Sequence, residues 1–171
     1  IIVNGYIPGD HVYSIVSDDH DAFCHAVVSL ANSGARHILY VYDTLTYAGR
    51  RKLAGYKQGL KACGMEENKG LILRTAKNID TAVADIEALR TSGVYFDAAL
   101  CSEDMFAVAV QKASAGESIP VIGCNNSILS RCATPSVTSI DLMLDIMCTT
   151  AIRVLNDLLD GKTAPRKIVI S

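Results

Sequence analysis

The stretch Val121 to Ile140, VIGCNNSILSRCATPSVTSI, decides how this chain is read. Val121 and Ile122 form a short apolar run that reaches Gly123 and then breaks into two amides, Asn125 and Asn126. Thr134-Pro135-Ser136 marks a loop, and Val137 to Ile140 is a second extended run. Ligands of open α/β sheets sit beyond the carboxyl ends of the strands. A strand that stops at two amides is therefore a candidate ligand wall.

Outward from this block, β-like and helix-like patterns alternate. Strands are expected at Ile1–Val3, Tyr13–Ser17, His37–Tyr42, Gly70–Leu73, Ala98–Cys101, Pro120–Gly123, Val137–Ile140 and Arg166–Ile170. Apolar residues at helical spacing predict helices over Ala22–Asn32, Ala48–Cys63, Asn78–Thr91, Asp104–Ala115 and Leu142–Asp160, each closing at or near a glycine. Such alternation implies parallel strands with right-handed crossovers. The strands between residues 37 and 123 are mostly apolar, as strands covered on both faces should be. They form one Rossmann-like layer. The flanking strands and the longest helix suit a second, incomplete lobe. The expected division is 1–34 with 139–161 for an N-terminal lobe, and 35–138 with 162–171 for a C-terminal lobe.

The 171 residues are 50% hydrophobic, enough for a real core and against disorder. A formal net charge of −2 provides no global basic field for nucleic acid. If the protein regulates DNA, the DNA-binding part lies outside this sequence. Cysteines stand at positions 24, 63, 101, 124, 132 and 148 with no C-x-x-C pair and no zinc spacing. They are expected as free thiols in a reducing cytosol, with neither metal nor cofactor. No apolar run approaches membrane-spanning length and no signal peptide is visible. The chain opens on Ile1-Ile2-Val3 without Met, within an expected strand, and is expected to be part of a longer protein.

The ordered series of motifs resembles the effector-binding core of the LacI/GalR bacterial transcription regulators, and through it the type I periplasmic sugar-binding proteins. IIVNGYIPG (1–9) is similar to that family's "VNR" strand. IVSDDHDAFCHAVVSLANSGARHILYV (15–41) resembles its "DNxxG" strand–helix–strand unit, and KLAGYKQGLKACG (52–64) its "RLxGYxxALxxAG" helix. FDAALCSEDMFAVAV (96–110) resembles "xDAIFxxNDxMAxGA", and the opening block resembles "VVGFDDxxxxxxxxPxLTTI". The resemblance implies an α/β fold of two lobes with Rossmann-like parallel sheets, type I periplasmic-binding-protein-like, the N-terminal lobe incomplete. The family's helix-turn-helix, hinge helix and first βα units have no counterpart here.

The resemblance also nominates ligand-binding residues. Lys52 falls where the family usually has a ligand-reaching Arg, within Arg50-Arg51-Lys52 in the first turns of a helix. Cations there oppose the helix dipole unless something anionic sits nearby. A ligand carboxylate, phosphate or hydroxyl would serve; a solvated basic turn pairing with Asp43 is the alternative. Glu103 replaces the family's Asn and either accepts from hydroxyls or pairs with Lys52. Asp104 keeps the family's Asp and reads as an acid opening a helix. Asn125 replaces an acid that accepts from sugar hydroxyls; it reads as a ligand contact or as turn chemistry. Asp18, Asp19 and Asp21 lie where the family chain crosses between lobes, with Asp21 taken as the ligand contact and at least one acid capping the helix beyond them. Tyr6 and Tyr47 are candidates to stack on a sugar ring. Gly55, inside a helix, implies a close packing approach.

The function implied is the ligand-sensing core of a cytoplasmic, homodimeric regulator, with the helix Asp104–Ala115 as part of a dimer face. A small sugar-like effector closes an interlobe cleft and so controls operator binding by a separate domain. An exported solute-binding protein of the same fold is the alternative. No phosphate loop, nucleophile elbow or His–acid constellation supports an enzyme.

Overall fold

The computed structural model covers residues 1–171. Its elements run β1 (Ile2–Val3), β2 (Ser14–Ser17), α1 (Asp19–Asn32), β3 (Ile38–Tyr42), α2 (Tyr47–Ala62), β4 (Ile72–Arg74) and α3 (Ile79–Thr91). They continue through β5 (Ala98–Cys101), α4 (Asp104–Ala113), β6 (Val121–Cys124), α5 (Ile128–Cys132), β7 (Thr138–Ile140), α6 (Leu144–Leu159) and β8 (Lys167–Ile170). All strand pairs are parallel, in a five-stranded sheet of order β4-β3-β5-β6-β7 and a three-stranded sheet of order β1-β2-β8.

The large sheet is apolar on both faces because each face carries its own core. One joins Tyr40, Leu100 and Ile122 to Phe23, Val27 and Leu30 of α1 and Tyr56 and Leu60 of α2. The other joins Leu39, Val41 and Ala99 to Ile86 of α3 and Phe106, Ala107 and Val110 of α4. The small sheet rests on α6 through Ile15, Met147 and Ala151.

The boundary between the two sheets differs from the expected division at three places. Helix α1, expected with the N-terminal lobe, packs its apolar stripe on the large sheet. Strand β7 pairs with β6, so Ser139 and Ile140 belong to the large sheet. Strand β8, expected with the C-terminal lobe, pairs with β2 in full register. Hydropathy identifies a strand; partner choice depends on long-range pairing that hydropathy does not encode. Helix α5, which is not among the expected helices, lies between the amide pair and the Thr134-Pro135-Ser136 loop and carries the exposed Cys132.

Helices α1 and α2 cross closely because Gly55 and Gly59 carry no side chain. A Cβ at Gly55 would collide with the His20 carbonyl, and one at Gly59 would come within 2.6 Å of Val27 Cβ. Gly55→Ala is expected to destabilise the fold by about 1–3 kcal/mol, read from urea unfolding midpoints at unchanged slope.

Two buried tyrosines of this core differ in one bond. The Tyr56 hydroxyl donates to the Ile38 carbonyl at 2.8 Å, whereas the Tyr40 hydroxyl has no partner. Tyr56→Phe should therefore cost about 1 kcal/mol and leave an acceptor unpaired, while Tyr40→Phe should be neutral or stabilising. Thermal unfolding of the two variants side by side checks the contrast.

Candidate functional site at the strand ends

Parallel pairing aligns the carboxyl ends of β3, β5 and β6, so Asp43, Ser102, Glu103 and Asn125 follow one another along one edge of the large sheet. Lys52 comes to this edge from α2. Its side chain is not a solvated basic turn: Lys52 is only 7% exposed, and its Nζ donates to the Ser102 carbonyl at 3.0 Å. The ammonium also stands 5.6 Å from the centre of the Phe23 ring, a cation–π placement. Beside it, burial pushes the Cys124 thiol up to about 11, against the downward pull of the Lys52 charge.

Asp19 is the residue that reasoning from sequence undervalued. It is 1% exposed, and neither carboxylate oxygen has a hydrogen-bond partner. The Ser17 hydroxyl is close enough to pull the Asp19 carboxyl down, yet lies outside hydrogen-bonding geometry, and the hydroxyls of Ser102 and Tyr40 have no partner either. Burial pushes the Asp19 carboxyl up, and the strongest opposing charge is Lys52, with Arg51 weaker. The signal lay in helical spacing. Asp19 precedes Phe23 by one turn on the apolar stripe of α1, and Lys52 precedes Tyr56 by one turn on that of α2. Both charges extend an apolar stripe inward instead of facing water.

The remaining basic residues of the α2 start are also matched within the chain. Arg51 pairs with Asp18 at 3.0 Å, and Arg50 donates to the Leu45 carbonyl at 2.7 Å. Asp18 is at the same time the N-cap of α1. Asp43, the alternative partner of the basic turn, forms no ion pair with it; its carboxylate accepts from the Thr44 hydroxyl at 3.4 Å. Glu103 pairs with Lys77 at 2.6 Å, not with Lys52.

Asn125 has φ 101° and Asn126 φ 45°, left-handed values that asparagine tolerates better than most residues. Two bonds from its backbone amides hold this turn: Asn125 N donates to Ile140 O, and Asn126 N donates to Ser139 Oγ. Asp104, buried at the start of α4, accepts from the Ser139 hydroxyl and from Ser127 N. Asp104 thus braces the ends of β6 and β7 from inside.

Tyr6 and Tyr47 meet, with ring centres 5.2 Å apart, although they lie on different parts of the chain. Lys167 Nζ stands 5.2 Å from one ring centre and 5.3 Å from the other. Asp21 lies elsewhere. It is exposed and bonded to His20 Nδ1 at 2.7 Å, which holds its carboxyl below the usual range. It lines a cavity of about 350 Å³ between the chain crossovers, with Asp18, Asp19, His25, Asp141 and Met143. Lys52, Glu103 and Asn125 stand outside that cavity, so the six nominated residues form three groups: the strand-end edge, the tyrosine pair and the crossover pocket.

Residues 27–171 match the family model described as a periplasmic binding protein-like domain. An HTH-type transcriptional regulator of Lachnoclostridium phytofermentans is 33% identical across the whole of this chain and 53% of its own length. The HTH-type regulator CelR of Thermobifida fusca is 26% identical over 96% of the chain and 51% of its own length. Among solved structures, a transcriptional regulator CelR–cellobiose complex superposes with a TM-score of 0.85 at 26% identity, over 96% of this chain and 53% of that one. The chain therefore spans about half the length of the relatives it matches. Together with the paired parallel sheets, these matches establish that the chain belongs to the periplasmic binding protein-like family, in the form of the effector-binding domain of LacI-type transcriptional regulators.

Proposed function

We propose that this domain senses a small sugar-like effector at the carboxyl edge of its large sheet, in a cleft between two lobes, and so controls operator binding by a helix-turn-helix elsewhere in the full protein. The observation that carries the reading is the convergence of Lys52, Glu103 and Asn125 on one strand-end edge. Asn125 supplies a donor and an acceptor, and Glu103 supplies acceptors, which suits a polyhydroxylated molecule. Tyr6 and Tyr47 offer ring faces at the side, and Asp21 stands by the crossovers that lobe closure would turn. The two crossovers between the sheets, at Ser17–Asp19 and Ile140–Met143, act as the hinge. A relative crystallised with cellobiose supports a glycoside as the ligand class.

The protein works in this reading as a cytoplasmic homodimer without catalytic activity. No helix is long and apolar enough to cross a membrane. The apolar residues Phe106, Ala107, Ala109 and Val110 of α4, the helix expected at a dimer face, are buried in the chain's own core. A dimer face on this side therefore uses the outer positions Met105 and Val108 with the exposed Ile128 and Leu129 of α5. An exported binding protein is less well supported: all six cysteines are free, and the relatives are named as regulators.

The test is a thermal-shift and calorimetric screen of mono- and disaccharides on the full-length protein. A binding sugar should lose at least about tenfold in affinity in both Lys52→Met and Asn125→Gly, the second variant keeping the left-handed turn while deleting the amide. Unchanged affinity in both variants would remove the strand-end edge from the binding site.

A further inference from the structure

We propose that Tyr6, Tyr47 and Lys167 form a clasp between the two lobes, which holds them together before any effector arrives; the proposal rests on the lobe-closure reading above. The three residues come from both lobes. Tyr47 opens α2, which is fixed to the large sheet through Tyr56 and Leu60. Lys167 opens β8 and Tyr6 lies in the connection that follows β1, so both ride on the small sheet. Across this divide the tyrosine rings meet at 5.2 Å between centres, tilted by 44°. That separation lies within the range of favourable aromatic contact. The Lys167 ammonium stands 5.2 Å from the Tyr6 ring centre and 5.3 Å from that of Tyr47, so one cation serves both rings.

Two observations set this cluster apart from ordinary surface packing. No carboxylate lies within 4.0 Å of the Lys167 ammonium, so the rings are its partners within the chain. The hydrogen bonds that join the lobes lie at the crossovers instead. Asp18 N donates to Ile170 O at 2.8 Å beside the first, and Asn126 Nδ2 donates to Asp141 Oδ2 at 3.0 Å at the second. Those bonds sit where the chain turns and can persist as the lobes rotate. Lys167 stands about 10 Å back along β8 from Ile170, so the clasp parts when the lobes separate. A contact made in one lobe arrangement only shifts the population toward that arrangement. An aromatic pair sharing a partly exposed cation multiplies that population by at least about fivefold. The clasp therefore pre-organises the cleft, and Lys167 acts on effector binding from outside the strand-end edge.

Pulsed dipolar spectroscopy on the effector-free, full-length protein tests this. Spin labels go on Glu66→Cys and Thr163→Cys, exposed positions in the two lobes, with Cys132 and Cys148 replaced by serine. Lys167→Gln, at an exposed position, should raise the population of the longer interlobe distance at least about threefold. Tyr6→Leu, which keeps apolar bulk without the ring, should do the same. Lys167→Arg should restore the original distribution, since a guanidinium also stacks on aromatic faces. Distance distributions that coincide in the wild type, Lys167→Gln and Tyr6→Leu overturn the clasp. No sugar enters this measurement. The clasp can therefore fail while the sugar screen succeeds, and it can stand when Lys52→Met and Asn125→Gly leave sugar affinity unchanged.

Discussion

The crossing of α1 and α2 at Gly55 and Gly59 governs the geometry of the strand-end edge. Because a Cβ at either glycine would meet α1, the two helices approach at backbone distance. The start of α2 is thereby held against the start of α1. Arg51 reaches Asp18 and Lys52 comes over Phe23, although each pair is far apart in sequence. The same approach takes Lys52 and Asp19 out of solvent. These charges must be matched within the chain, since an isolated buried charge is very costly. A packing constraint in the middle of two helices thus fixes the electrostatics at their ends.

Much of the fold was legible because its signals are local. Alternating apolar runs and capping glycines located the strands, and helical spacing located the long helices. Sheet membership was not local. Whether β8 joins β2 or the large sheet depends on which edge is free when the chain returns, and its sequence Lys167–Ile170 suits either. Helix α5 was missed because its single turn and a half comes after a polar pair and contains Cys132 and Arg131, with only Ser130 buried. So short a helix has no periodicity to read.

The site was legible by position and much less so by environment. Glu103 and Asn125 stand at strand ends, as their neighbours in sequence implied. Their partners could not be anticipated: Glu103 takes Lys77 from the β4–α3 loop, which is not adjacent in sequence. From sequence Lys52 is either a ligand contact or part of a solvated basic turn, and its burial follows from neither. Its one-turn offset from Tyr56 was the contrary signal, and the matching offset of Asp19 from Phe23 supports the same reading. A charged residue in line with an apolar stripe points to an opposite charge on the facing helix, where a like offset places it.

This arrangement gives the substitution of lysine for the family's usual arginine a physical sense. A guanidinium presents a wide planar fork and tends to reach its partner edge-on. An ammonium is compact and fits between a carbonyl and a ring face, as it does here between the Ser102 carbonyl at 3.0 Å and the Phe23 ring at 5.6 Å. This burial leaves Asn125 and the Lys77-paired Glu103 as its polar neighbours along the same edge. In this chain the cation is buried against a carbonyl and a ring face, and Asn125 further along the edge carries no charge that would call for it as a partner.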